Sequence, residues 1–168
     1  MPNQLRKHFM ILKIPLLLSL GSILLYAGFA YDLVRTDFIK LVSLYAALFF
    51  LSLKLIQTTQ WNFRFLVVIG VLFRLVFLWA TPNLSQDFYR FIWDGNLVMS
   101  GINPYLYTPN QIMEWSQIPI ANNRFLFEGM GELSAKHFSN YPPFNQALFT
   151  IASFFGGKSI LGSIIAMR

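Results

Sequence analysis

An all-α membrane fold is what this chain predicts, and three observations carry the prediction. Uncharged apolar runs recur along it, charged residues are scarce, and every acid falls between those runs rather than within them. Charged residues make up 12% of the 168 and hydrophobic ones 55%, with a mean hydropathy of +0.52; a soluble domain carries about 25% charged residues. Eighteen Phe and four Trp suit a lipid-facing chain. With no cysteine there is no disulfide, thiolate nucleophile or Cys-based zinc site. The net charge of +6 is spread among apolar runs instead of gathered on one face, which argues against nucleic acid as a partner.

The elements follow in order. Residues 14–31 form the first spanning helix, since about 20 apolar residues cross a bilayer. The run is long for a signal peptide, and no small-residue cleavage site follows it. The second, 38–56, reaches spanning length by letting Lys40 and Lys54 lift their amines to the two interfaces. The third, 65–80, holds Arg74 near its middle, where a charge is costly and marks a candidate functional group. Its alternatives are a contact with another helix or an anionic lipid headgroup.

Charge placement orients the helices. Arg6, Lys7 and Lys13, then Lys54 and Arg64, belong inside by the positive-inside rule. All seven acids then fall outside, Asp32 and Asp37 in the first outer loop and five in the second. The chain is thus expected to be multi-pass in the cell (inner) membrane, with a cytoplasmic N-terminus and the large loop 81–142 on the periplasmic face. Such loops without function are uncommon. Trp93 and Trp115, with Trp79 at the edge, favour short helices on the outer leaflet rather than a separate soluble domain. A helix over 143–155 and the start of another over 159–168 complete a single membrane domain. The apparent stop within that last helix is expected of a fragment of a longer protein.

The loop begins with an amphipathic helix, 86–100. Ser85 suits its N-cap and Gly101 its stop. Phe88, Phe91, Ile92, Val98 and Met99 form an apolar stripe, while Asp87, Arg90 and Asp94, three and four apart, share a polar face. The bland reading is a solvated face with two ion pairs worth about 0.2–0.5 kcal/mol each. The functional reading is a carboxylate and a cation held where fat meets water. His137 reads as structural more readily than as a second base.

Asp87-Phe88-Tyr89-Arg90-Phe91-Ile92-Trp93-Asp94-Gly95, then Gly101-Ile102-Asn103-Pro104-Tyr105, then Tyr141-Pro142-Pro143, preceded by Phe73-Arg74-Leu75, resemble the landmarks of GT-C glycosyltransferases. The chain is most similar to bacterial mannosyltransferase-like members that use a polyprenyl-phosphate sugar. The resemblance spans roughly Leu72 to Phe149 and implies a many-helix fold with its active site in the first large outer loop. It implies that Asp87 is the base toward an acceptor hydroxyl, in an inverting displacement that expels a lipid phosphate. Arg90 would meet that phosphate, with Asp94 orienting Arg90 or touching the acceptor. Tyr89, Arg74, Asn103, Tyr105 and Tyr141 complete the candidate substrate contacts. On its own, Asn103-Pro104-Tyr105 reads as a turn and Tyr141-Pro142-Pro143 as a helix entry.

Many relatives carry two adjacent acids where this chain has Gln86-Asp87. A divalent cation held by paired acids is therefore doubtful, and the expectation is no required cofactor or metal. The partners expected are a polyprenyl-phosphate-linked sugar and the bilayer. The competing class is a non-enzymatic membrane protein such as a lipid or solute transporter subunit. It is disfavoured because the spanning helices are nearly free of acids. Later helices would enclose the lipid chain, so these residues alone are expected to be inactive.

Overall fold

The computed structural model describes residues 2–60 and 62–168, with side chains from Lys13 onward. The charges of Arg6 and Lys7, used above for orientation, lie outside the described side chains. Among the described residues there are eight α-helices and no strand, which makes this an all-α membrane protein. The chain divides into two units, Met1–Asn83 and Leu84–Arg168.

The first unit contains α1 (Pro2–Tyr31), α2 (Phe38–Thr58) and α3 (Phe63–Val76), with α1 packed on both of the others. Lys13–Tyr31 and Phe38–Thr58 are long and apolar enough to cross a bilayer. They also turn apolar side chains outward: Leu17 is 68% exposed and Ile39 79%. In water that surface would be a liability, whereas in lipid it costs nothing. Both later helices start on side-chain caps, Asp37 accepting from the Lys40 amide and Asn62 from that of Phe65. Tyr26 packs on Phe73 and Phe77, with centroids 5.0 and 5.7 Å away. At one end of this unit Tyr31 donates to the Val76 carbonyl (2.9 Å), and the Asn83 amide donates to the carbonyls of Phe29 and Leu33. Lys40 Nζ closes on Asp32 there as well.

The third helix departs from expectation. It stops at Val76, and 77–80 continue as turns with three-residue hydrogen bonds. Thr81-Pro82 follows, and proline disfavours helix at the residue before it. Fourteen residues rise about 21 Å, short of the roughly 30 Å hydrocarbon core. Arg74 consequently sits exposed in the last turn rather than near a helix middle, where a cation suits the helix dipole.

The second unit contains α4 (Asp87–Met99), α5 (Pro109–Met113), α6 (Asn123–Ala135), α7 (Pro143–Gly156) and α8 (Ile160–Ala166). α4 packs on α6, α7 and α8 around a core of Ile92, Trp93, Leu97, Ile112, Leu126 and Met130. Gly95 permits the α4–α7 contact, because a Cβ there would lie 2.4 Å from the Phe149 carbonyl oxygen. Phe91 stacks on Phe149, with centroids 4.4 Å apart. Two expectations need correction. Trp93 is wholly buried core, not an interfacial anchor. The polar face of α4 is solvated at Asp87 but not beyond it: Arg90 is 3% exposed and Asp94 0%, because neighbouring segments supply the hydrogen bonds that water would have supplied.

Candidate active site

α4 is held firmly at both ends. Ser85 Oγ accepts from the Asp87 amide (3.1 Å), although the N-cap residue by backbone geometry is Gln86. At the other end Gly101, at φ +76°, closes a Schellman motif. The Ile102 amide donates to Leu97 O (2.9 Å) and the Gly101 amide to Val98 O (3.0 Å). Ile102 then folds back onto the cluster that contains Leu97.

Asp94 is the polar hub of this unit. Its Oδ1 accepts from Arg90 Nε at 2.8 Å; its Oδ2 accepts from Ser139 Oγ at 2.6 Å and Gln146 Nε2 at 3.0 Å. Arg90 Nη1 donates to the carbonyls of Ser134 (2.7 Å) and His137 (3.1 Å), satisfying acceptors at the end of α6. Only Nη2 of this buried guanidinium lacks a partner. Asp94 therefore pairs with Arg90. Of the two expected ion pairs only this one forms, and Asp87 joins no pair. His137 is occupied too, its Nδ1 lying 2.7 Å from Leu133 O.

Asp87 contrasts with both. It stands exposed in the first turn of α4, its carboxylate without a hydrogen-bond or ion-pair partner among the described residues. Tyr141 lies within its electrostatic reach. Burial pushes the Tyr141 phenol above its ordinary pKa, the negative charges of Asp87 and Asp94 add to this, and Arg90 opposes them. The Tyr141 ring packs edge-on against Phe91 and Phe149.

The remaining candidates are dispersed. Tyr89 lies over Gly129, where a Cβ would meet its ring at 2.5 Å, so its visible work is packing. Asn103 Oδ1 accepts from the Tyr105 amide, and Leu106 N bonds Asn103 O, which makes the expected turn. Tyr105 reaches across to donate its hydroxyl to the Tyr141 carbonyl at 2.5 Å, joining the second motif to the third. The Arg74 guanidinium, in the other unit, has no hydrogen-bond or ion-pair partner among the described residues. Sequence reasoning missed Ser139 and Gln146. The signal for Gln146 was faint, one of two adjacent amides, Asn145-Gln146, at the start of the largely apolar 144–155 run.

Gln86 is tied to α6. Its Nε2 donates to Met130 O at 3.0 Å, beneath Gly131, whose positive φ (+75°) kinks α6. Among the described residues no group of three or more His, Asp or Glu gathers where a metal could be held.

Residues 14–168 match the family described as alpha-(1->6)-mannopyranosyltransferase, N-terminal domain. The chain belongs to that family. Membership makes it a glycosyltransferase domain and removes the non-enzymatic carrier as a competing class. No curated protein and no solved structure matches the chain.

Proposed function

We propose that this domain serves an inverting transfer of a mannosyl unit from a polyprenyl phosphate to an acceptor on the outer face of the membrane, with Asp87 as the base. The observation that carries this reading is the free, exposed Asp87 carboxylate at the start of a helix whose other charges are internally satisfied. A sugar hydroxyl is a weak nucleophile, and a positioned base typically contributes about 10²- to 10⁴-fold. As the acceptor oxygen attacks the anomeric carbon, its proton passes to Asp87 and the lipid phosphate leaves with the electron pair of the glycosidic bond.

Arg90 is buried, so its charge acts on that phosphate from behind the surface rather than by direct contact. Arg74 is assigned a separate anionic headgroup. Tyr89, Asn103, Tyr105 and Tyr141 wall the substrate region. Orientation follows the charge pattern: the α2–α3 side, with Lys54 and Arg64, is cytoplasmic, and the end bearing Asp32 and Asp37 is periplasmic. Because residue 86 is a neutral amide where a second acid would be needed, transfer proceeds without a cation held beside Asp87.

The test uses full-length protein in membrane vesicles. Asp87→Asn is expected to lower kcat by about 10²- to 10⁴-fold with membrane insertion intact, and normal turnover by that variant would remove Asp87 from the reaction. Exhaustive chelation is expected to leave the wild-type rate unchanged; a rate restored only by added Mg²⁺ or Mn²⁺ would overturn metal independence.

A further inference from the structure

An open groove of about 430 Å³ lies between the turn after α4 and the start of α7, lined by Gly101, Asn103, Tyr105, Gln146 and Ala147 among others. Its volume is within the range of small-molecule sites, which are mostly apolar with a few placed polar groups. Gln146 is one of those groups, and its orientation is forced. Its Nε2 donates to Asp94 Oδ2 and to Ser139 Oγ, and Ser139 spends its own proton on Asp94. A paired carboxylate can only accept, so the nitrogen must face it. Gln146 Oε1 is left over, buried in a side chain 5% exposed and with no partner. Such an acceptor calls for a donor. Tyr105 and Asn103 line the same groove, and an aromatic ring and an amide suit the flat face and hydroxyls of a sugar.

We propose that this groove binds a pyranose unit of an extended acceptor, remote from the unit that reacts. The groove begins at Val98, and Asp87 to Val98 is about 16 Å along the α4 axis at 1.5 Å per residue. The Tyr105–Tyr141 hydrogen bond links the groove to the segment facing Asp87. A hydroxyl of the distal sugar donates to Gln146 Oε1 while its ring lies against Tyr105. The groove thus senses acceptor length. This rests on the acceptor chemistry proposed above.

The experiment compares α-mannosides of one and four pyranose units as acceptors for the full-length protein, with and without Ala147→Phe. Ala147 is exposed and has no part in the Asp94 network, so the larger ring fills the groove and spares the core. Wild type is expected to favour the four-unit acceptor in KM, and Ala147→Phe to shrink that preference about tenfold, the equivalent of about 1.4 kcal/mol. An unchanged ratio would overturn the proposal. So would a rise in donor KM alone, which would assign the groove to the lipid chain. Should Ala147→Phe not fold, Ala147→Leu gives the same comparison. Calorimetric titration of the four-unit mannoside into Asp87→Asn protein, with and without the Ala147 substitution, needs no turnover. It decides the groove even if Asp87 proves not to be the base.

Discussion

The two units manage polar groups in opposite ways. Residues 2–83 keep charges at the ends of apolar helices, as in the exposed Lys40–Asp32 pair. Residues 84–168 have an exposed pair too, Lys136–Glu132, but they also draw one inward: Arg90 and Asp94 are buried at the centre of a helical core and bonded from several sides. The difference teaches what a charge costs in each setting. Exposed pairs contribute little because water competes for them. A buried pair becomes indispensable once formed, since losing one partner strands the other.

The sharpest way to break this contrast is Asp94→Ala. It strands Arg90 and empties the hub, so unit 2 is expected to lose about 3–5 kcal/mol in a denaturant titration. A loss below 1 kcal/mol would mean that the pair is wet. Gly95→Val comes next. Its added carbons meet the α7 backbone, and separating the helices is expected to cost about 1–3 kcal/mol. Gln86→Glu replaces a donor with an acceptor facing the Met130 carbonyl, with an expected loss of about 1–3 kcal/mol. The same change restores two adjacent acids, so metal-stimulated turnover by this variant would show that residue 86 decides cation use.

Smaller effects come from titration. Tyr141 holds its proton more tightly when folded, so its contribution is full below the ordinary value of 10.0 and declines as pH rises through its raised folded value. Tyr141→Phe is expected to remove that alkaline decline in a pH-stability profile. Lys40 beside Asp32 holds that carboxyl below its ordinary 3.8. Its contribution is therefore present above 3.8 and fades as pH falls through the depressed value. Because the pair is exposed, Asp32→Asn is expected to leave the melting temperature unchanged within error.

Much of the fold was legible because it depends on local chemistry. The helix over 86–100 appears as Asp87–Met99, and the stop at Gly101 and the restart near residue 159 follow from glycine and cap chemistry visible in single residues. The spacing of Arg90 and Asp94 gave their shared face. It could not reveal whether that face meets water. That depends on Ser134, His137, Ser139 and Gln146, which lie 44 to 52 residues further along and carry no periodic signal. The third helix was overestimated because hydropathy continues through Trp79 while backbone geometry, set by Thr81-Pro82, does not. Asp87, proposed as the base, keeps its carboxylate without a partner among the described residues.

The bonds converging on Asp94 fix more than the core. Several segments grip one side chain, so α4 cannot slide or rotate without breaking a buried ion pair and two further hydrogen bonds together. A shift of one helical turn would carry its leading residue about 5.4 Å, well beyond the reach of a proton hop. The interior of the unit thereby fixes where the first turn of α4, with the proposed base Asp87, stands relative to α6 and α7.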